Sequence, residues 1–304
     1  MARQELKFPV EFIDRKAEQE IFDNLVQFND NAHLLVIEDG AGTGKSTLLE
    51  MLTYKCKYTV DCPVGRIQLD VNVNPEINSP FAFIERLRES LGIEQTFEQY
   101  DKFNEARVGK NASIFSPATS PIAVQGSIAA GNAVISGSSA ELIGAQVNYY
   151  GIEWTSAQED QARRRCIRAF FEDLKTLADA TPLVVLLDSY DRCSGELKSW
   201  IIDEFVRPLC FNVNKRPQRL LLVLAGQVVP DFESMLQDRY VTLVRSRRPL
   251  SGWQKEHVVD FLRVHEYGKL SDKDVDTVWD KIQQGFSIRQ ALVVANALLG
   301  LAEN

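Results

Sequence analysis

Residues 39–46 read Asp-Gly-Ala-Gly-Thr-Gly-Lys-Ser, and each type at its place suits the binding of a polyphosphate. Gly40, Ala41, Gly42, Thr43 and Gly44 supply a run of backbone amides, and the glycines allow those N–H groups to turn inward and a phosphate to approach closely. A helix starting directly afterwards adds its positive end. Lys45 is placed to reach β- and γ-phosphates, the Ser46 hydroxyl suits Mg²⁺, and Thr47 falls within reach of an α-phosphate. One residue departs from the pattern GxxxxGK[ST]: Asp39 stands where the first Gly is usual. Its charge either weakens phosphate affinity or is turned away from the ligand.

A second set of acidic groups lies at 183–191, Leu-Val-Val-Leu-Leu-Asp-Ser-Tyr-Asp. An apolar strand ending in Asp188 puts a carboxylate at the carboxyl edge of a sheet, where it would hold Mg²⁺ through water. Asp191 either orients or deprotonates an attacking water, or caps the next helix. Gln227 follows the apolar run 219–226 and either senses phosphate and positions water or is an ordinary polar loop residue.

Strands and helices must hold these groups. Residues 33–38 form a short apolar run before the glycines, and 45–55 carry helical spacing, so strand, turn and helix follow in the order of an α/β unit. Further strands are expected at 64–71, 182–188, 219–226 and 240–244, and helices at 11–28, 79–92, 157–178 and 196–211. Ser79, Pro80 and Gly92 mark the ends of one of these helices. After Pro249 the strands stop, and 251–268, 271–285 and 287–300 read as three helices. The stretch 109–153 is rich in Ser, Ala, Gly and Val, and between Lys110 and Glu153 it carries a single charge, Glu141. It reads as an insertion, either disordered or forming short strands that pair with another chain.

The chain has 304 residues, 45% of them hydrophobic, enough for one large core with a smaller satellite. No run of eighteen apolar residues indicates a membrane span, and no secretory signal is visible, so a cytoplasmic protein without a membrane partner is expected. The net charge of −8 counts against nucleic acid as the main ligand. Five cysteines without CxxC spacing fit reduced thiols, and the three histidines lie far from Cys56 and Cys62, which makes a zinc site a poor reading.

These pieces in this order resemble the STAND class of P-loop NTPases, the NB-ARC and NACHT signalling ATPases, which are related to AAA+ and origin-recognition-type ATPases. Phe12, Ile13, Arg15 and Glu18 resemble the hhGRxxE motif that packs against adenine in such proteins, with Asp14 in place of Gly. The resemblance implies Walker A at 39–46, Walker B at 183–191 and a sensor strand ending at Gln227. It further implies a C-terminal lid in which Ser287 replaces a nucleotide-contacting proline. Arg289 falls near a sensor arginine and either reaches the γ-phosphate or makes a surface ion pair. Arg247 and Arg248 would sense phosphate or touch a neighbouring subunit.

The implied organisation is an adenine-side segment at 1–30, a nucleotide-binding domain at 31–248 with the insertion 109–153, and a helical lid at 249–304. The implied fold is a parallel α/β P-loop sheet flanked by helices. The implied activity is an ATP- and Mg²⁺-dependent switch that hydrolyses ATP to ADP, with slow turnover compatible with that role. Homo-oligomers on activation, an effector or sensor protein on another domain or chain, and a role in bacterial defence are the partners and setting the resemblance suggests. A DNA-associated AAA+ ATPase and a nucleotide-binding scaffold without turnover are the alternatives.

Overall fold

The computed structural model describes residues 15–92, 97–109, 155–214, 216–247, 250, 254–264, 270–284 and 288–299. The readings placed on Phe12, Ile13, Arg248 and Ser287, and on the insertion beyond Gly109, lie outside these residues.

Among the described residues five parallel strands form one sheet: β1 (Leu34–Glu38), β2 (Val64–Gln68), β3 (Leu183–Asp188), β4 (Leu220–Gly226) and β5 (Val244–Arg247), in the order β2-β3-β4-β1-β5. Strands β3 and β4 are buried along their whole length, as expected of near-continuous Leu/Val runs covered on both faces. Successive side chains alternate between faces. Leu35 and Ile37 of β1, Val184 and Leu186 of β3, and Leu221, Val223 and Ala225 of β4 share one core with α1 (Lys16–Val26) and α2 (Lys45–Lys55). The alternate residues, such as Val185 and Leu187, therefore serve the opposite face.

Helix α2 continues into a widened turn at Cys56–Val60 and ends at Asp61, whose φ of 55° breaks the helix. Helix α3 (Pro80–Leu91) starts as its sequence signals require: the Ser79 hydroxyl accepts the Ala82 N–H at 3.3 Å, Pro80 opens the first turn, and Gly92 closes the helix at φ 68°. Two further helices are α4 (Glu98–Val108) and the long α5 (Ser156–Ala180). The short α6 (Gly195–Trp200) runs on as a wide helical segment through Phe211, and Pro208 sits inside it. Phe83 of α3 meets Phe205 and Trp200 edge-on, at centroid distances of 5.1 and 5.5 Å.

After β4 come α7 (Phe232–Leu236) and α8 (Tyr240–Leu243). The strand expected at 240–244 begins only at Val244 and runs to Arg247. Val244 is the first residue to pair with β1, opposite Leu34. Tyr240 to Leu243 instead make a helical turn that leaves Val241 72% exposed, so the apolar alternation there does not report burial. Strand β2 likewise stops at Gln68 rather than at residue 71, because Asp70 turns the chain by accepting the Asn72 N–H at 2.9 Å.

The chain divides into two compact units, residues 1–94 with 175–304, and residues 95–174. The first holds the sheet. It also contains α9 (Lys255–Val264), α10 (Asp272–Gln283) and α11 (Ile288–Leu298), which bury Val258, Leu262, Val278 and Ala295 in a small core of their own. Ser271 and Asp274 make a reciprocal capping box at the start of α10. The second unit packs Phe97 flat on Phe170 at 5.5 Å, with Tyr100 edge-on to the same ring. Among the described residues no helix is long and apolar enough to cross a membrane.

Candidate functional site

The loop at 39–44 leaves the carboxyl end of β1, and the Asp39 N–H donates to the Gly226 carbonyl at the end of β4. Gly42 (φ 76°) and Gly44 (φ 89°) adopt left-handed backbone that costs an L side chain about 1 kcal/mol or more, so the glycines here are a steric requirement. Gly44 occupies the N-cap of α2, and Gly40, Ala41, Ser46 and Thr47 are exposed or half-exposed, leaving the helix end open to a ligand.

Lys45 folds back over the loop. Its ammonium donates to the carbonyls of Asp39 at 2.6 Å and of Gly40, and to the Thr43 hydroxyl at 3.3 Å. Burial pulls its pKa below the usual lysine range, while Asp39, Asp191 and Asp188 oppose that shift. Arg15, buried at the start of α1, donates to the Thr43 carbonyl at 2.7 Å. The structure thus sets Arg15 against the glycine loop itself.

Asp39, the departure from the glycine pattern, has both carboxylate oxygens engaged. One accepts the Gly40 N–H at 2.7 Å, and the other accepts the N–H of Leu250 at 3.2 Å.

Asp188 ends β3 and is buried. Its Oδ1 accepts the Ser46 hydroxyl at 3.1 Å, bringing together residues 142 positions apart. Its Oδ2 accepts Arg66 of β2 at 3.0 Å, and the same guanidinium nitrogen donates to the Ser46 carbonyl at 3.1 Å. Ser189 then enters the left-handed region at φ 58° and folds residues 190–192 into a tight turn. That turn carries Asp191 back to β4, where its Oδ1 accepts the Gln227 N–H at 2.7 Å. Asp191 does not cap α6, whose N-cap position is Ser194. A Cβ on Gly226 would lie 2.9 Å from Asp191 Oδ1, so this contact needs glycine at the strand end.

Beside this centre, Arg192 pairs with Asp70 at 2.8 Å. The guanidinium, together with the Asn72 amide, holds the Asp70 carboxyl below its usual range. Gln227 is half-buried at the end of β4, between the loop strand β1 and the acidic strand β3. Arg247 ends β5, while Arg289 lies on α11 with its side chain outside the described residues.

Sequence reading therefore supplied Lys45, Ser46, Asp188, Asp191 and Gln227, which meet at one edge of the sheet. It missed Arg66, Asp70 and Arg192. Arg66 falls on the half-exposed face of Val64–Gln68 together with Gln68, where a polar residue is ordinary, so the local pattern gave no signal for it.

A Mg²⁺ ion fits the donor set: the Ser46 hydroxyl and the Asp188 carboxylate are hard oxygens in direct contact, at an open helix N-terminus. The strand order, with the glycine loop after β1, Asp188 after β3 and β4 between them, makes this an α/β fold of the P-loop NTPase type.

No protein-family profile matches the sequence, and comparison with curated proteins finds no match. Among solved structures, Cdc6p from Pyrobaculum aerophilum is similar with a TM-score of 0.41 and 15% identity, over 85% of this chain and 51% of that one. The Orc1 protein of Aeropyrum pernix, solved in complex with DNA, is similar with a TM-score of 0.43 and 14% identity, over 96% of this chain and 62% of that one. The chain thus spans between about half and three fifths of the length of these proteins. The fold assignment rests on the strand order and loop geometry.

Proposed function

We propose that this chain binds ATP and ADP with Mg²⁺ at the edge formed by β1, β3 and β4, and hydrolyses ATP as a conformational switch. The observation that carries the reading is the 3.1 Å contact between Ser46, directly after the glycine loop, and Asp188, at the end of an apolar strand. A glycine turn alone recurs for structural reasons, but a hydroxyl and a buried carboxylate converging on a helix N-terminus suit a metal-bound polyphosphate.

Lys45 would leave the loop carbonyls, which are its present acceptors, for the β- and γ-phosphates. Ser46 and Asp188 would hold Mg²⁺, which when bound neutralises phosphate charge. Asp191 keeps Oδ1 on the Gln227 amide, and its Oδ2, 4.0 Å from the Arg192 guanidinium, would orient water. Gln227, on the strand between the two motifs, is placed to sense the γ-phosphate. Arg15 orients the Thr43 peptide within the loop.

The switch part of the proposal draws on Asp39, which links the loop to Leu250 ahead of the C-terminal helices. ADP would favour one arrangement and ATP another, through differential contacts to the γ-phosphate. A homo-oligomer on activation and an effector or sensor protein are the partners this reading entails.

Titration with ADP and ATP at millimolar Mg²⁺ is the first test. Lys45→Ala removes a charge-assisted contact of about 1.5–3 kcal/mol, so nucleotide affinity should fall roughly ten- to a hundredfold. Asp191→Asn should keep binding and lose turnover. A wild type that gives neither binding heat nor thermal protection sinks the reading. Light scattering with ADP and then a non-hydrolysable ATP analogue tests switching, and unchanged mass and shape would count against it. A filter-binding series with duplex DNA across salt decides whether nucleic acid is also a partner.

A further inference from the structure

Arg66 is a long cation in the middle of an edge strand whose neighbours Gly65 and Ile67 face the interior. In the β2–β3 register Gln68 lies opposite Asp188, and Arg66, two residues earlier, shares the face of Gln68. From there its guanidinium meets Asp188 Oδ2 at 3.0 Å and the Ser46 carbonyl at 3.1 Å. The carboxylate side chain is 2% exposed, and that of Arg66 is 27% exposed.

A carboxylate so deeply buried is costly unless a positive charge stands beside it. Among the described residues the ion pair of Asp188 is with Arg66. The other oxygen takes a neutral hydroxyl from Ser46. The carboxylate suited to a divalent ion is therefore already balanced by the protein's own cation. A dication on Ser46 and Asp188 and a guanidinium on that same carboxylate are like charges competing for one anion.

We propose that Arg66 is a tethered cation that competes with the divalent ion for Asp188 and so sets how strongly nucleotide binding depends on metal. The inference rests on the nucleotide reading above. With Arg66 present, Asp188 is balanced even without metal, and phosphates can enter the loop against a neutral background. Without it, the metal-free site holds a bare carboxylate facing the phosphates, while the metal-loaded site loses a competitor. Both effects push the same ratio upward.

The test measures the dissociation constant of a fluorescent ADP analogue by anisotropy, once in excess EDTA and once at millimolar Mg²⁺. The readout is the constant in EDTA divided by the constant in Mg²⁺. Arg66→Gln should raise that ratio by about tenfold or more over wild type. Arg66→Met, which keeps the aliphatic stem and removes the charge, should do the same and serves if the Gln variant fails to fold. Arg66→Lys should stay near wild type. Arg86→Gln, at an exposed pair with Glu89 on α3, is the control and should not move it. A ratio unchanged in the charge-removing variants, with nucleotide still bound, overturns the inference and leaves the parent reading standing. A wild type that binds the analogue under neither condition overturns the parent reading instead.

Discussion

At the scale of single residues, the polar groups of the site are bonded to one another. Lys45 sits on two carbonyls of its own loop, Arg15 holds a third, and Asp188 is shared by Ser46 and Arg66. On the proposed nucleotide reading, each of these bonds would be exchanged, rather than simply formed, by a phosphate. A different residue bears on stability in acid. His33 precedes β1, buried, with its Nδ1 2.7 Å from the Leu220 carbonyl, to which it donates. Burial, reinforced by the neighbouring Arg216, lowers its pKa from 6.5 to about 4. The unfolded chain therefore binds a proton between these values that the folded chain refuses, so stability falls as pH drops from 6.5 towards 4. The full effect is roughly 3 kcal/mol. Chemical denaturation at a series of pH values should show this slope in the wild type and its loss in His33→Gln. An identical slope in the variant would assign the acid sensitivity to carboxylates instead.

At the scale of elements, the apolar strands were the most legible part of the sequence. Strands β1, β3 and β4 are continuous Leu/Val runs, and their ends fall within a residue of where the runs end. The edge strands were less so. Residues 240–244 alternate like a strand, yet of these only Val244 reaches a partner, because pairing with β1 and not local pattern decides where β5 starts. Arg66, Asp70 and Arg192 escaped for a related reason: their roles come from the β2–β3 register, which no local motif encodes. Glycine gives a test at this scale. Gly226→Ala drives a Cβ to 2.9 Å from Asp191 and 3.2 Å from the Val228 carbonyl, and should cost about 1–3 kcal/mol of stability. Gly195→Ala, where a Cβ meets nothing within 4 Å, should leave the melting temperature unchanged or slightly raised. Equal effects from the two would mean that β4 and the Asp191 turn yield freely.

At the scale of the whole molecule, the strand order puts β4 between the strand that feeds the loop and the strand that ends in Asp188. Gln227 and Asp191 are thereby tied to one another at this edge, where Ser46 and Arg66 also meet each other and Asp188. The same frame gives Asp39 its importance. One small carboxylate holds an amide at the mouth of the loop and another at Leu250, 211 positions along the chain, whose side chain is seated in the main core. Two stretches of backbone thus share one anchor, and disturbing it at one end must be felt at the other. Asp39→Gly would cut both ties at once. Deuterium uptake at the Leu250 amide should then quicken by about ten- to a hundredfold, in step with the loss of a charged acceptor, while the strands exchange as before. Unaltered uptake there would show that the anchor grips only its own turn.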